Sequence, residues 1–590
     1  MRSVLFVMSI LLGLPAAASG QAGEQPIVEL LTFQGNRKVS TGALTLLMYT
    51  RASPWYAWLP GTAPRRLDPM TFRSDVARIV TYYRDLGYFN ALVDTAIQRS
   101  GPGRVWVRIR IEEGDPVRVA QTQIVGLPQR AELDTLRLWK DLRSKPGRPL
   151  VRADLVADRD LITEALQNAG YALSKVSMEV GVKPEALRAD VAFRVQPGPR
   201  CQVGRILVTG NEKVSEGVIL RGLSFQSGDT YRRRALRNSQ RQLYRSGAFR
   251  SVSLGLPDSV ARTSPVDVVV SVRERAPRSV ALRTAYDTEE QLRVAPAWRH
   301  RNFLGGARQL RVEAEVSAVK MGVETELRQP YILGSRTWLS TSAYAKQDRP
   351  EEVRVKRLGG RAALEWTFRT TGRLIFEVST DLVDFKPDST RTTFGMTYHK
   401  DTRDDFFDPQ KGLLALVSLR ETGIVFMSDR EFLKLTGEGR WYRRLPWHNV
   451  LAFRVSGGAL WELGKTHGVL RFDRFFAGGA SSVRGWGYLD LTPRDASGAK
   501  LGGLSKLEGS IEIRTRFLPL LGTVLFLDVG SVGEDQMEVL DLSALRWSAG
   551  FGVRYLSPIG PIRVDVAYRL SDDPFVSGRR RIYFSLGQAF

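Results

Sequence analysis

From about residue 279 to the end of the chain, apolar residues recur at every second position in one segment after another, and no stretch there carries a helical stripe. Leu310–Ala318, Leu374–Leu382 and Ile562–Leu570 show this most clearly, each with one apolar face and one face of charged or small polar groups. A period of two sustained over roughly 310 residues restricts this half to an all-β architecture, either a soluble sandwich or a closed barrel.

The rest of the chain separates those two. A mean hydropathy of -0.19 excludes a protein with many apolar membrane helices. The one long apolar run, Val4–Leu14, follows Arg2 and precedes Pro15 and the small residues Ala16–Gly20, the order of a secretory signal peptide. Residues 1–20 are therefore expected to be a signal peptide cleaved near Ala18 or Gly20. The lone Cys201 leaves an exported chain without an internal disulfide, so packing must hold it together. Export, a weak apolar signal per strand and segments of about ten residues, long enough to cross a bilayer when tilted, favour a membrane barrel. At about twenty residues per strand and connection, residues 279–590 predict about sixteen antiparallel strands, with the apolar face towards lipid and the polar face lining a lumen. Closure removes the sheet edges that hydrocarbon cannot satisfy.

The first half repeats itself. Phe33-Gln-Gly35-Asn36-Arg-Lys38-Val39-Ser40 recurs as Val208-Thr-Gly210-Asn211-Glu-Lys213-Val214-Ser215, each after a strand-like segment. Gly-Asn suits a sharp exit from a strand and the following Ser suits a helix cap. Further on, Tyr83–Val93, Leu166–Val176 and Tyr244–Val252 share an amphipathic helix ending at a glycine, Gly87, Gly170 or Gly247, which can take the left-handed conformation that closes a helix. Alternating strands follow at Val105–Ile111, Ala189–Val195 and Val266–Val272. The order strand, helix, helix, strand, strand gives three α+β modules over residues 26–115, 116–198 and 200–275.

These modules resemble POTRA domains, the periplasmic modules of outer-membrane assembly factors. The second copy departs most, because Gly126-Leu127 replaces Gly-Asn. Trp55, Tyr56 and Trp58 in the first copy read either as a cap on its own core or as an aromatic tip that touches a membrane or a client.

Three motifs in the second half, Arg301–Gly306, His399–Gly412 and Gly478–Trp486, resemble the BamA/TamA family of outer-membrane assembly factors. The resemblance implies that Val483-Arg484-Gly485-Trp486 forms the tip of a loop folded back into the lumen, where Arg484 meets acidic groups of the wall. The resemblance implies that these acids are Glu512 and Asp528, and alternation agrees: Glu512 opposes Ile511, Ile513 and Phe517, and Asp528 opposes Leu525, Leu527 and Val529. A guanidinium can bridge two carboxylates, which a Lys ammonium does with less defined geometry. The chain closes with Ile582, Phe584, Leu586 and Phe590 on one face, and Tyr583, Phe584 and the terminal Phe590 resemble the targeting signal of outer-membrane barrels. By the same resemblance, the seam between about Ser279–Tyr286 and Arg580–Phe590 is weakly paired and opens laterally to accept a client strand; Gly587 and Ala589 give its last strand little inward bulk.

Enzyme chemistry finds no support. His300, His399, His448 and His467 lack metal-ligand spacing, and there is no nucleophile elbow or phosphate-binding glycine loop. Asp401, Asp404, Asp405 and Asp408, beside Pro409 and Gly412, read as turn acids; no metal or other cofactor is expected. The formal net charge of +24 falls mostly before residue 276, where 40 basic residues face 25 acidic ones. In an exported chain it points to anionic lipid, lipopolysaccharide or acidic client segments, with no nucleic acid. The expected function is the insertion of client β-barrel or autotransporter proteins into the outer membrane, with the modules in the periplasm. Three modules favour the TamA layout and a long TamB-like periplasmic partner; assembly lipoproteins are the alternative partners. A two-partner secretion transporter, which usually has two modules and a plug helix for which Gln21–Pro26 leaves no room, and a passive porin are the competing functions.

Overall fold

The computed structural model describes residues 25–586 apart from 55–62, 130–132, 258–263, 289–290, 349–354, 369–370, 385–388, 426–427, 429, 448, 464–468, 519 and 558–559. The expected signal peptide, the aromatic segment around Trp55 and the terminal Phe590 lie outside the described residues. The first two modules form one compact unit, and most of the third module forms another with the barrel.

The first module contains β1 (Ile27–Gln34), α1 (Thr41–Leu47), α2 (Pro69–Asp85), β2 (Leu92–Gly101) and β3 (Arg104–Glu112), with β3 central, parallel to β1 and antiparallel to β2. Helix α2 starts where the Asp68 carboxylate accepts the Thr71 N–H (2.9 Å) and Pro69 supplies a preset φ. It ends at Gly87, whose φ is +95°. Its buried Phe72, Ile79 and Tyr83 meet Val105, Val107, Ile109 and Ile111 of β3, and each such side chain contributes about 1.5–3 kcal/mol by leaving water.

The second module repeats the order in β4 (Arg118–Val125), α3 (Thr135–Asp141), α4 (Arg152–Asn168), β5 (Lys175–Lys183) and β6 (Arg188–Gln196). The third does so in β7 (Val203–Thr209), α5 (Glu216–Arg221), α6 (Arg233–Arg245), β8 (Phe249–Gly255) and β9 (Val266–Glu274).

The three share physical solutions that identical residues do not always mark. Gly35, Gly126 and Gly210 all have φ between +81° and +88°, and each lies so close to a carbonyl of its module's last strand (Ile111, Val195 or Val272) that a Cβ could not fit. Gly126 therefore does the work of the Gly-Asn glycines without the Asn. In the other two copies the Asn adds a bond, from Asn36 to the Val39 carbonyl (2.9 Å) and from Asn211 to that of Val214 (3.1 Å). Glu113 and Glu274, at the ends of the last strands, accept the N–H groups of the same turns, with Lys38 and Lys213 at 3.0 and 2.8 Å. Burial and the Glu113 carboxylate, which accepts its hydrogen bond at 2.9 Å, push the Tyr83 phenol up, so it remains a donor.

A buried acid on the long helix ties down the end of the short one. Asp75 accepts the N–H groups of Tyr49 (3.0 Å) and Thr50 (2.8 Å), and Asp158 those of Arg143 and Ser144 (both 2.8 Å). In the third copy Ser239 does this for Ser224 (2.8 Å). The first two modules are joined through Val117, which is fully buried, donates to the Gly87 carbonyl and accepts from the Leu150 N–H, both at 2.8 Å.

The barrel is a closed sheet of sixteen antiparallel strands, β10 (Arg278–Asp287) to β25 (Arg580–Leu586), as the alternation predicts. Side chains such as Val323, Leu358, Leu525, Phe551 and Ile582 are exposed on its outer face, the band that a bilayer would cover. Helix α6 is docked on the barrel: Arg245 binds Glu365 (2.8 Å) and Thr367 (2.7 Å), and Tyr331 donates to the Gln242 carbonyl (3.1 Å). At the seam, the described residues give a single register pair, Asp287 with Ser585, beside a ring contact between Tyr286 and Phe584 with centroids 5.8 Å apart.

Removing the Asp75 carboxylate strands two backbone donors. Asp75→Ala is expected to destabilise the first module by about 2 kcal/mol, roughly thirtyfold in local opening. Hydrogen exchange on the full chain should show faster amides within residues 27–112 and unchanged barrel amides; unaltered exchange in that module would refute the role.

Candidate functional site: a loop locked in the barrel lumen

Strands β20 (Asn449–Glu462) and β21 (Ser505–Arg516) are joined by a long connection that folds as its own hairpin-like unit, with bridges pairing Phe475 with Gly503, Ala477 with Leu491 and Arg494 with Lys500. Ala477, Val483, Trp486 and Leu491 pack with Val576 into a small apolar cluster, which gives the loop a core. At its tip Gly485 has φ +103°, and a Cβ there would lie 2.9 Å from Arg569 Cγ and 3.2 Å from Ser548 Cβ. Only glycine allows both that turn and that approach to the wall.

Arg484 beside it is 1% exposed. Its Nε and Nη2 grip Asp528 of β22 (Leu521–Gly533) at 2.7 and 2.8 Å. Its Nη1 donates to Glu512 of β21 at 2.8 Å and reaches Asp565 of β24 (Gly560–Arg569) at 3.4 Å. The Arg484 backbone N–H also donates to Asp528 (3.1 Å), and the guanidinium carbon stands 3.5 Å from the centroid of the Phe526 ring. Glu512 is shared with Arg514 (2.8 Å) and Asp565 with Arg554. Three buried carboxylates thus face three buried guanidinium groups, with Arg563 3.8 Å from Asp565 at the margin. Buried charges persist only when paired in this way.

The structure therefore brings together Val483, Arg484, Gly485 and Trp486 with Glu512 and Asp528. Three further partners, Asp565, Ser510 and Phe526, join them. Asp565 sits on the inward face of the alternating Ile562–Leu570 segment, so the period of two could have found it; Ser510, 3.3 Å from Arg484 Nη2, and the ring of Phe526 had no distinguishing signal. Tyr583, grouped in sequence with Phe584 and Phe590, faces the lumen and is buried, whereas Ile582 and Phe584 point outwards. Its hydroxyl accepts the Gly485 N–H (2.9 Å) and donates to the Trp486 carbonyl (2.6 Å).

The loop has a second anchor that the sequence did not suggest. Asp473 pairs with Arg391 (2.6 Å), which also binds Asp381 (3.0 Å), and the Lys434 ammonium donates to the Asp473 carbonyl while lying 4.4 Å from the centroid of the Phe475 ring. The acids of the His399–Gly412 motif are engaged in turns: Asp404 accepts from Gln410 (2.9 Å) and Lys411 (3.1 Å), Asp405 from Phe407 (2.7 Å) and Asp408 (2.8 Å), and Asp401 pairs with Arg403 (2.9 Å). Among the described residues no group of three or more His, Cys, Asp or Glu side chains is placed to hold a metal.

Residues 302–590 match the model of the Omp85 superfamily domain, and residues 26–114, 117–198 and 202–275 match that of the POTRA repeat, described as a surface antigen variable number repeat. The chain is an Omp85 superfamily domain preceded by three POTRA repeats. It is 24% identical over 97% of its length to the outer membrane protein assembly factor BamA of Nitratidesulfovibrio vulgaris, covering 74% of that protein. Its identity to the BamA of Neisseria meningitidis serogroup B is also 24%, over 96% of this chain and 79% of that one. The crystal structure of Haemophilus ducreyi BamA lacking POTRA domains 1–3 superposes with a TM-score of 0.60 at 18% identity, over 80% of this chain and 99% of that one, and so shares the fold. Both of these relatives are named BamA, and the chain carries three POTRA repeats.

Arg484→Ala leaves Asp528 and Glu512 short of their shared counter-charge. The expected cost is about 3–5 kcal/mol of barrel stability, with Arg484→Lys intermediate because an ammonium cannot make the planar fork. Heat-modifiable gel migration measures this directly: a wild-type transition temperature in the Ala variant would remove the lock.

Proposed function

We propose that this chain is an outer-membrane assembly factor that inserts and folds client β-barrel or autotransporter proteins, acting at the seam between β10 and β25 with its modules in the periplasm. The observation that carries this reading is a closed barrel whose lumen is occupied by a pinned loop and whose described seam is a single register pair. The lumen is taken up by a loop pinned to three carboxylates, whereas a passive pore conducts through an open path and needs no weakly paired seam.

The physics of insertion is strand addition. The sheet orders put β1 and β2, β4 and β5, and β7 and β8 at module edges, where unpaired backbone groups can hold an unfolded client strand. A client edge meeting β10 or β25 exchanges the few seam hydrogen bonds for its own, and so enters hydrocarbon without exposing backbone. Arg484, Glu512 and Asp528 serve as the structural lock of this machine. Tyr583, Phe584 and Phe590 are read as its own targeting signal, with Tyr583 contributing to the lock as well. Unfolded outer-membrane proteins, outer-membrane lipid and lipopolysaccharide are the partners; the three modules favour a TamB-like periplasmic protein over assembly lipoproteins.

Reconstitution in liposomes with an unfolded outer-membrane protein tests the proposal. The pure protein should raise the folding rate of the client by at least tenfold, and a disulfide engineered across the seam should abolish that gain. Unchanged client folding with steady ion conductance would assign a porin instead, and export of a soluble polypeptide without insertion would assign a secretion transporter.

A further inference from the structure

The last strand turns Arg581, Tyr583 and Ser585 towards the lumen; the first two bond the loop directly and the third reaches it through Arg563. Arg581 pairs with Asp490 (3.3 Å) on the returning limb. Tyr583 holds the Gly485 N–H and the Trp486 carbonyl at the tip. Ser585 accepts from Arg563 Nε, and the same guanidinium donates to the Ala480 carbonyl (2.9 Å) on the outgoing limb. On the first strand, by contrast, Arg283 pairs with Glu313 of the neighbouring wall.

The two bonds of Tyr583 are of a kind that fixes position. Gly485 has no side chain to hold it, and its positive φ places its N–H and the next residue's carbonyl on the side of β25. A phenol hydroxyl can accept the first and donate to the second at once. Its ring packs separately, with Ala480, Val524, Phe526 and Ala567, so the hydroxyl can be removed while the apolar contact stays.

We propose that Tyr583 is a positioning residue that clamps the loop tip to the seam strand, so that the tip carrying Arg484 and the C-terminal edge of the seam move as one body. The clamp also couples the lock to the client: a strand that displaces β25 pulls on the Gly485–Trp486 turn, and a loop that leaves the wall releases β25. This consequence rests on the assembly reading given above, whereas the clamp itself is a property of the fold.

Hydrogen exchange on the full-length protein in lipid nanodiscs tests it. In the wild type, residues 480–490 and 581–586 should exchange at a common rate; rates more than tenfold apart would overturn the clamp without any variant. In Tyr583→Phe, exchange should rise at least tenfold in both segments while residues 27–274 are unchanged. A tyrosine with only a packing role would leave both segments at wild-type rates, because Phe keeps the ring; that result, or a rise in β25 with wild-type rates in 480–490, would overturn the proposal. The same measurement on Arg484→Ala should loosen β25 through the tip; protection of 581–586 at wild-type levels there would count against coupling. None of these readouts depends on client insertion, so a protein that shows the joint exchange and fails to fold clients would sustain the clamp and remove the assembly reading.

Discussion

A sheet standing in hydrocarbon has nowhere to leave an unpaired backbone edge, and the rest of this structure follows from that. Sixteen strands close on themselves, which turns every second side chain inwards. The inward rows are polar and charged, so closure creates a second problem: a lumen full of ionisable groups that must find one another. The loop between β20 and β21 solves it by delivering Arg484 to Asp528, Glu512 and Asp565, while Arg391 and Lys434 hold the same loop at Asp473, just before its hairpin bridges begin. The wall and the plug therefore satisfy each other, and neither is complete alone.

The modules meet a different constraint, that of building a small core without disulfides. Each stacks a long amphipathic helix on a three-stranded sheet and spends its few buried polar groups on its turns. Chemistry is preserved where residues are not: Asp75 and Asp158 give way to Ser239, which keeps one acceptor where the acids offer two. Gly126 keeps its positive φ although its neighbour is Leu, because the close carbonyl of Val195 excludes any Cβ. The glycine is the demanding residue of the motif and the Asn an added hydrogen bond.

That difference explains what could be read from sequence. Facing direction is legible wherever alternation runs without a break, since a period of two assigns inside and outside by parity alone; it turns Glu512 and Asp528 inwards, while the family resemblance singles them out from the other inward residues. Register was not legible, because it depends on turn lengths and on pairings between distant segments. Parity placed Asp565 and Tyr583 inwards as surely as Asp528, but could not say which inward residues stand at the height of the loop tip. Tyr583 was drawn into the terminal aromatic pattern, although its neighbours Ile582 and Phe584 already put it on the opposite face. The Asp473 anchor was invisible because a loop carries no period.

The distribution of charge follows from the same division. At the loop tip, the guanidinium groups of Arg484, Arg514 and Arg554 are matched by the carboxylates of Asp528, Glu512 and Asp565, as burial requires. The positive excess has to sit where water can solvate it, and most of it precedes residue 276. Helix α6 shows how: no acidic residue occurs between Asp229 and Asp258, and Arg233, Arg234, Arg237 and Arg241 are exposed on the face away from the buried Leu236 and Leu243. Charges held this way act over about a Debye length, roughly 8 Å at physiological salt, on whatever anionic surface lies beside them. The larger share of the net charge thus sits before the barrel, which keeps a smaller excess, and the buried carboxylates of the lumen owe their place to pairing.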